Sequence, residues 1–312
     1  MVRFVLLRLL AAVPTLLGMS FVAFAIVALA PGDPVMMELR AMGIVPEPDD
    51  IAALRAQFGL DKPLLPRYLD WLSRAVRFDF GTSVATGRSV MSEIAIHLPA
   101  TLALAVSSLI GAVIISIALG TFAVASDRFT GAGLRGLTIL LVSIPSFWLA
   151  LLLIYVFVLN LGWARLVGDG SASDLVLPAL TLSLGAGASL GRVVFERVRA
   201  EKSEDYVRLA IAKGLGPHII MLGHIAPRII GPLTTAWANT FGALLGGAVI
   251  VESIFGWPGL GQLILQAIAQ RDFPVIQAYL VFMGLIFFIT SLIADAVVIL
   301  AEPQLRRRLG HE

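Results

Sequence analysis

The sequence contains no cysteine, and only 14% of its 312 residues are Asp, Glu, Lys or Arg. The missing cysteines exclude disulfide bonds and thiolate metal sites. The low charge content argues against a soluble domain, in which about 25% of the residues are charged. The net charge of +2 is small and does not indicate nucleic-acid binding, so we predict no such partner.

The sequence also lacks a nucleotide-binding motif. No glycine is followed directly by lysine, so the pattern Gly-x-x-x-x-Gly-Lys-Ser/Thr does not occur. The nearest match, 185–191, lies in an apolar run, where small residues favour close helix packing. The four histidines have no metal-ligand spacing with Asp or Glu, so no certain metal site is predicted. We therefore expect the chain to bind neither ATP nor Mg²⁺ itself and not to be an enzyme.

What the sequence does contain is long uncharged runs. A membrane-spanning helix needs about 17–25 mostly apolar residues, and six runs reach that range. Because lipid offers the backbone no hydrogen-bond partners, these segments are predicted to be helices. The predicted fold is an all-α polytopic membrane protein with six transmembrane helices. The predicted spans are 9–32, 98–126, 136–164, 175–191, 229–251 and 273–294.

The positions of Lys and Arg predict the orientation of these spans. Segment 31–97 is too long for the rule to apply, and the remaining basic residues lie mostly on the side of the two termini. The opposite short loops hold only Arg165 and Arg271, so both termini are predicted to be cytoplasmic. The first helix, within 1–30, is expected to be retained instead of cleaved. The basic tail, 301–312, is expected to contact membrane lipid.

The remaining domains are predicted from their patterns. Segment 31–97 is expected to be extracytoplasmic, with one short helix from Pro48 to Gly59 and another from Pro66. These helices would lie on the membrane surface or cover a pathway, and a simple tether is the alternative. The apolar residues of the second helix are Tyr68, Leu69, Leu72 and Val76. The segments predicted after it are a five-helix core, 98–300, two short loops, 127–135 and 161–174, and a loop with a re-entrant or interfacial helix, 253–274.

Several polar and aromatic residues near the spans are candidates for a translocation pathway. Pro145 predicts a kink in the third span. An ionisable group at membrane depth faces a pathway or a partner, which applies to Glu252 and Asp295. For Glu252 the alternative is a hydrogen bond that holds the turn 253–261, and for Asp295 and the aromatic residues it is packing. The candidates for the pathway or its gate are Ser143, Pro145, Phe147, Trp148, Asn239, Glu252, Trp257 and Asp295.

The predicted cytoplasmic loop, 192–231, has clear signals for where its helices begin and end. Ser203 is predicted to cap a helix of about ten residues whose first turn is acidic. Gly214 is predicted to end that helix in the left-handed conformation, and Pro217 to open the next one. A short exposed helix between two spans fits a groove on a cytosolic partner.

This loop and other segments resemble the permease subunits of ATP-binding-cassette importers, in the peptide/nickel branch with type I topology. The loop residues that carry the resemblance are Asp205-Tyr206-Val207-Arg208-Leu209-Ala210-Ile211-Ala212-Lys213-Gly214-Leu215, followed by His224. The other segments are 30–34, 59–63, 79–81, 98–102, 143–148, 252–261 and 271–275. The chain departs from the family pattern at Pro227, which predicts a kinked or shortened helix.

The resemblance implies a bacterial inner-membrane location and several partners. These are a second homologous permease, two cytosolic ATPases that bind ATP and Mg²⁺, and an extracytoplasmic substrate-binding protein. The pathway would form between the two permeases and switch between outward and inward openings. The residues implied for ATPase coupling are Glu204, Asp205, Tyr206, Arg208, Ala210, Lys213, Gly214 and Leu215.

The substrate stays open between nickel, free or chelated, and small peptides. A metallophore and a glutathione-like peptide are the alternatives. The short loop 161–174 is more similar to the nickel-type and other compact members than to dipeptide permeases, which have a long insertion there. Among other classes, an intramembrane serine protease would need a histidine beside a serine at membrane depth, and no histidine lies mid-span. A passive channel would not need the capped loop.

Overall fold

The computed structural model describes residues 2–29, 62–125, 128–165, 171 and 173–301, and these are almost entirely helical. The first helices are α1 Val2–Leu29, α2 Leu64–Ala75, α3 Val90–Ala125, α4 Arg128–Ser143 and α5 Ser146–Leu153. Helix α5 continues into a π-helical segment, Ile154–Asn160. The later helices are α6 Val176–Lys202, α7 Asp205–Ala212, α8 Pro217–Ile220, α9 Ala226–Phe255, α10 Leu260–Gln270 and α11 Phe273–Ala301.

The predicted all-helical polytopic fold is confirmed. Within the described residues, five helices are long and apolar enough to cross a membrane, and the number is six if a bent pair is counted as one span. The bent pair joins Gly136–Ser143 to Ser146–Asn160 at an angle of 98°. Pro145 lies at the break because it disfavours helical backbone in the residue before it and donates no backbone hydrogen bond. The predicted kink in the third span is therefore present.

Two loop boundaries were predicted wrongly. Residues 128–135, expected in a short loop, form the start of α4. The expected loop 192–231 begins later than predicted, because α6 extends to Lys202, whereas the helix predicted to open at Pro217 does begin there. Charged residues ended the predicted spans, but a helix continues beyond the apolar segment wherever water satisfies its polar face. The predicted helix between Pro48 and Gly59 lies outside the described residues.

The chain divides into two compact units. The first contains Ala100–Gly261 together with Met1–Phe4 and Ile289–Glu312, and the second contains Val5–Pro99 and Gln262–Phe288. In the first unit, α6 packs against α4, α5, α7 and α9.

Small residues bring α3 and α6 close together in the first unit. A Cβ at Gly187 would lie 2.7 Å from Ile115 Cβ and 3.1 Å from the carbonyl oxygen of Ala112. A Cβ at Gly191 would lie 3.2 Å from Leu119 Cβ. Gly187 and Gly191 therefore serve helix packing, as the sequence predicted for this run, whereas Gly185 makes no such close contact.

This packing gives a prediction that compares two glycines of α6. Gly187→Ala should destabilise the permease by about 1–3 kcal/mol, because the added methyl group overpacks the α3–α6 contact. Gly185→Ala is the matched control, since the nearest atom to its Cβ would be the Leu141 carbonyl oxygen at 4.0 Å. Thermal unfolding of the detergent-purified variants measures both. Equal melting temperatures for the two variants would contradict the packing argument.

In the second unit, α2 packs against α1 through aromatic rings. The Tyr68 hydroxyl lies 2.8 Å from Ser20 Oγ, and the ring of Phe24 lies 5.7 Å from the rings of both Tyr68 and Trp71. The predicted helix near Pro66 is present, but its buried residues are Tyr68 and Trp71. The expected apolar face was partly wrong, because Leu69 is exposed.

Two buried carboxylates hold the turn that precedes α3 in the second unit. Asp272 accepts hydrogen bonds from Ser83 Oγ at 2.5 Å and from the backbone N–H of Ala85 at 3.3 Å. Glu93 accepts one from Thr86 Oγ1 at 2.9 Å. These contacts fix the turn without a regular sheet, since the described residues contain only one isolated β-bridge, Thr82–Ser89.

Candidate functional site

The short helix α7 begins one residue later than the sequence predicted. Glu204 is the N-cap residue, with ψ 148°, and Asp205 is in the first turn. Ser203, the predicted cap, has the helical angles φ −84° and ψ −8° and ends α6 instead. Its hydroxyl donates to the carbonyl oxygen of Ala200 at 2.7 Å. Because α6 extends so far, the serine side chain bonds within its own helix and is not available to cap the next one.

The end of α7 matches the prediction. Gly214 has φ +77°, a conformation that favours glycine. Its N–H donates to the carbonyl oxygen of Ile211 at 2.9 Å, and the N–H of Leu215 donates to that of Ala210 at 3.2 Å. These two bonds form a Schellman motif. The motif gives α7 a sharp stop after only 8 residues.

Helix α7 has one buried face and one exposed face. Val207 and Ala210 are buried in an apolar cluster with residues from α6, from the α8 region and from α9. Leu209 and Ile211 have 57% and 61% of their surface exposed, and because they are two positions apart they lie on opposite edges of the exposed face. Arg208 pairs with Asp205 at 3.3 Å on the surface. The other buried members of the cluster are Val194, Val198, Ile220, Ile225, Ile229 and Leu233.

Tyr206 lies at the edge of this cluster and makes polar contacts to two other helices. Its hydroxyl donates to Glu201 Oε2 on α6 at 2.6 Å. The guanidinium carbon of Arg228, on α9, lies 4.1 Å from the centre of the Tyr206 ring. Removal from water, together with the hydrogen bond and the negative charge of Glu201, raises the pKa of Tyr206 to about 12. The phenol is therefore a hydrogen-bond donor at any physiological pH.

The segment after α8 explains how the helix accommodates Pro227. A π-helical turn, Met221–Ile225, links α8 to α9, and Pro227 falls in the first turn of α9. The helix is continuous here, and the π-helical turn changes the hydrogen-bond register directly before Pro227, which lacks the N–H that a regular helix would use. The distortion expected at Pro227 thus takes the form of a π-helical turn, which also contains His224.

Glu252 and Trp257 lie together at the turn after α9. Glu252 is completely buried, and its Oε2 accepts a hydrogen bond from the N–H of Gly261 at 2.6 Å. Trp257 Nε1 donates to the carbonyl oxygen of Ala100 at 2.8 Å. The N–H of Leu260 donates to Thr101 Oγ1 at 2.7 Å. This geometry favours the structural interpretation of Glu252, which is that it holds the turn 253–261.

The other candidate pathway residues are more exposed. Phe147 and Trp148, after the break at Pro145, have 47% and 49% of their surface exposed. Ser143 Oγ donates to the carbonyl oxygen of Ile139 at 2.8 Å, within α4. Asn239 is exposed on α9, and Asp295 is half-buried on α11.

A cavity of about 220 Å³ lies beside the break at Pro145 in the first unit. Its lining includes the residues on either side of the break, Ile144 and Ser146, and also Thr240, the neighbour of Asn239. None of the eight residues predicted for the pathway or its gate is in the lining. The sequence analysis missed the polar lining residues Thr181 and Thr240. The sequence pattern that could have identified them is the recurrence of small and hydroxyl residues at helical spacing within otherwise apolar spans. The other lining residues are Leu149, Leu182, Gly185, Ala186, Ala243, Leu244 and Gly247.

Comparison with known proteins places this architecture in a family. Residues 112–307 match the family described as "Binding-protein-dependent transport system inner membrane component". Residues 1–105 match the N-terminal family of the same membrane components. The chain belongs to this family. It is an ABC importer permease of the peptide/nickel type, a multi-pass protein of the bacterial inner membrane.

Individual relatives match over almost the whole length. The glutathione transport system permease protein GsiC of Escherichia coli strain K12 is 36% identical over 307 residues, covering 98% of this permease and 99% of GsiC. GsiC of Salmonella typhimurium is 36% identical over 308 residues, with the same coverage.

Solved structures show the same fold. An inward-facing methionine transporter, MetNI, aligns with a TM-score of 0.60 at 19% identity, covering 68% of this permease and 97% of that chain. An amino acid ABC transporter crystallised with histidines aligns with a TM-score of 0.52 at 18% identity, covering 66% and 93%.

Proposed function

We propose that this permease imports small peptides of the glutathione class, driven by two cytosolic ATPases that each dock on a helix equivalent to α7. The substrate class is supported by the 36% identity to glutathione permeases over 98% of the chain. A second permease would complete the pathway, and an extracytoplasmic binding protein would deliver the substrate. ATP and Mg²⁺ would be held by the ATPase subunits. The predicted orientation, with both termini in the cytoplasm, places α7 on the side of the ATPases.

The observation that carries the coupling role is that α7 packs on both α6 and α9, and that both of these helices line the cavity beside Pro145. Val198, in the α7 cluster, lies 13 residues from Gly185, in the cavity wall, which corresponds to about 20 Å along a helix. A helix of this length moves as a rigid element. A displacement of α7 by the ATPases would therefore reach the cavity without any local unfolding.

The docking surface in this proposal is the exposed face of α7. Asp205 and Arg208 would face the groove on the ATPase, and Leu209 and Ile211, which lie on either side of them, would contact its walls. Some residues implied for coupling lie outside this surface. Ala210 is buried, Leu215 is half-buried, and Gly214 shapes the end of the helix. Pro145, Phe147 and Trp148 would border the pathway, together with Ser143 and Asn239.

The substrate is tested by uptake in a strain that lacks this gene. Radiolabelled glutathione, a labelled dipeptide and nickel, the last with and without histidine as a chelator, are compared in the deletion strain and in the complemented strain. We expect glutathione uptake to fall and to return on complementation. Loss of nickel uptake alone would place the permease in the metal branch and refute the peptide assignment. Loss of dipeptide uptake alone would support a small-peptide substrate but exclude glutathione.

A further inference from the structure

Tyr206 is the residue at which three helices meet. It belongs to α7, donates a hydrogen bond to Glu201 near the end of α6, and lies beneath Arg228 in the first turn of α9. Arg228 is 22 positions from Tyr206 in the sequence, so the contact joins elements that the chain itself does not hold together. Only Ser203 and Glu204 lie between α6 and α7, and these two contacts join α7 to both α6 and α9.

The two contacts are directional, whereas the rest of the α7 interface is not. Val207 and Ala210 are small apolar residues in an apolar cluster, and apolar burial is non-directional. A phenol bonded to a carboxylate is a charge-assisted hydrogen bond with a fixed geometry. An arginine over an aromatic ring restricts the ring to one plane. The raised pKa of Tyr206 keeps its proton in place, so the hydroxyl can donate to Glu201 at any physiological pH.

We propose that Tyr206, bonded to Glu201 and covered by Arg228, is a positioning residue that makes α6, α7 and α9 move as one body when the ATPases close. Without Tyr206, α7 would rotate relative to its apolar cluster. Only part of the ATPase movement would then be transmitted to the membrane spans. The proposal rests on the coupling function proposed above. These three side chains would determine how efficiently ATP hydrolysis is coupled to import, and they would not be needed for ATPase binding.

The test measures substrate imported per ATP hydrolysed in liposomes that contain the complete importer. The probe is the one that the wild type takes up among glutathione, the dipeptide and nickel. Tyr206→Phe keeps the ring and removes the hydroxyl, and Glu201→Gln removes the charge of the acceptor. Each should lower import per ATP by about tenfold, the effect of one charge-assisted hydrogen bond. Because both changes break the same bond, the double variant should be no worse than either single variant.

Variants of Arg228 and a second tyrosine provide the controls. Arg228→Lys keeps a cation over the ring and should retain most of the coupling, whereas Arg228→Gln should lose it. Tyr155→Phe is the matched control, because Tyr155 is 60% exposed and distant in sequence from the three side chains. A merely structural role for Tyr206 would lower protein yield and hydrolysis together, and would leave import per ATP unchanged.

The outcomes separate this proposal from the function on which it rests. Co-purified ATPase, normal hydrolysis and lowered import per ATP in Tyr206→Phe would support it. Unchanged import per ATP in that variant would overturn it, as would losses in the double variant that multiply. If no ATPase co-purifies with the wild type, the coupling function fails, and this proposal fails with it.

Discussion

Replacing Gly214 by proline should abolish ATPase binding to the permease and leave the membrane spans inserted. Gly214 has φ +77°, whereas proline is restricted to a φ of about −65°. The substitution also removes the N–H that bonds to Ile211 at 2.9 Å. Proline therefore cannot adopt the conformation that ends α7, and this helix of 8 residues is too short to be stable alone. Co-purification of the ATPase with the tagged permease measures the effect.

A milder pair of substitutions isolates the backbone conformation. No atom lies within 4 Å of a Cβ built at Gly214 or at Gly216, so alanine fits sterically at both positions. Gly214→Ala would have to hold the left-handed conformation, at a cost of about 1–2 kcal/mol, whereas Gly216 has φ −69°. ATPase binding should weaken in Gly214→Ala and stay normal in Gly216→Ala.

The exposed start of α7 provides an independent variant for the same prediction. Asp205→Arg places a positive charge at the helix N-terminus and removes the ion pair with Arg208. It should also prevent ATPase binding, while Asp205→Asn, which is compatible with a helix start, should retain most of it. If the ATPase still co-purifies with both Gly214→Pro and Asp205→Arg, α7 is not its docking helix.

The sequence predicts most of this fold because apolar length is a physical requirement of the bilayer. Each predicted span overlaps a helix, and Pro145 predicts the break within the third span. The helix ends were less predictable. A charge marks where lipid ends, but it does not end a helix, so α6 continues through Arg192 and Arg197 to Lys202. Because of this extension, the N-cap of α7 is Glu204 and not the predicted Ser203.

The candidate site was predictable only in part, for a related reason. Glycine conformation is a local property, so Gly214 could be assigned from its neighbours. The partners of Tyr206 depend on tertiary structure, since Arg228 reaches it only because α9 returns beside α6. Likewise, Thr181 and Thr240 line one cavity on separate helices, and no pattern within either helix indicates the other. The sequence identified Glu252 but left open whether it serves a pathway or a turn.

That question leads to the second prediction, which concerns the turn after α9. Glu252→Ala should leave little folded permease, because the buried N–H of Gly261 loses the carboxylate that it contacts at 2.6 Å. An unsatisfied buried donor costs about 1–3 kcal/mol, and the cavity left by the side chain adds to this. Gly261→Ala should be equally damaging, since its Cβ would overlap the Cα of Val249 on α9. Backbone atoms cannot move aside as a flexible side chain can. Size-exclusion profiles and melting temperatures of the purified variants measure both effects.

Two further variants are needed. One is a control for Gly261→Ala, and the other tests the role of Glu252. Gly246→Ala, on α9, has no atom within 4 Å of its Cβ and should fold normally. Glu252→Gln retains an oxygen that accepts from Gly261, so it should also fold. Its import activity then decides between the two interpretations. If the carboxylate only holds the turn, Glu252→Gln should import at a near wild-type rate. If its charge faces the pathway, the variant will fold but fail to import, and the structural interpretation of Glu252 will be wrong.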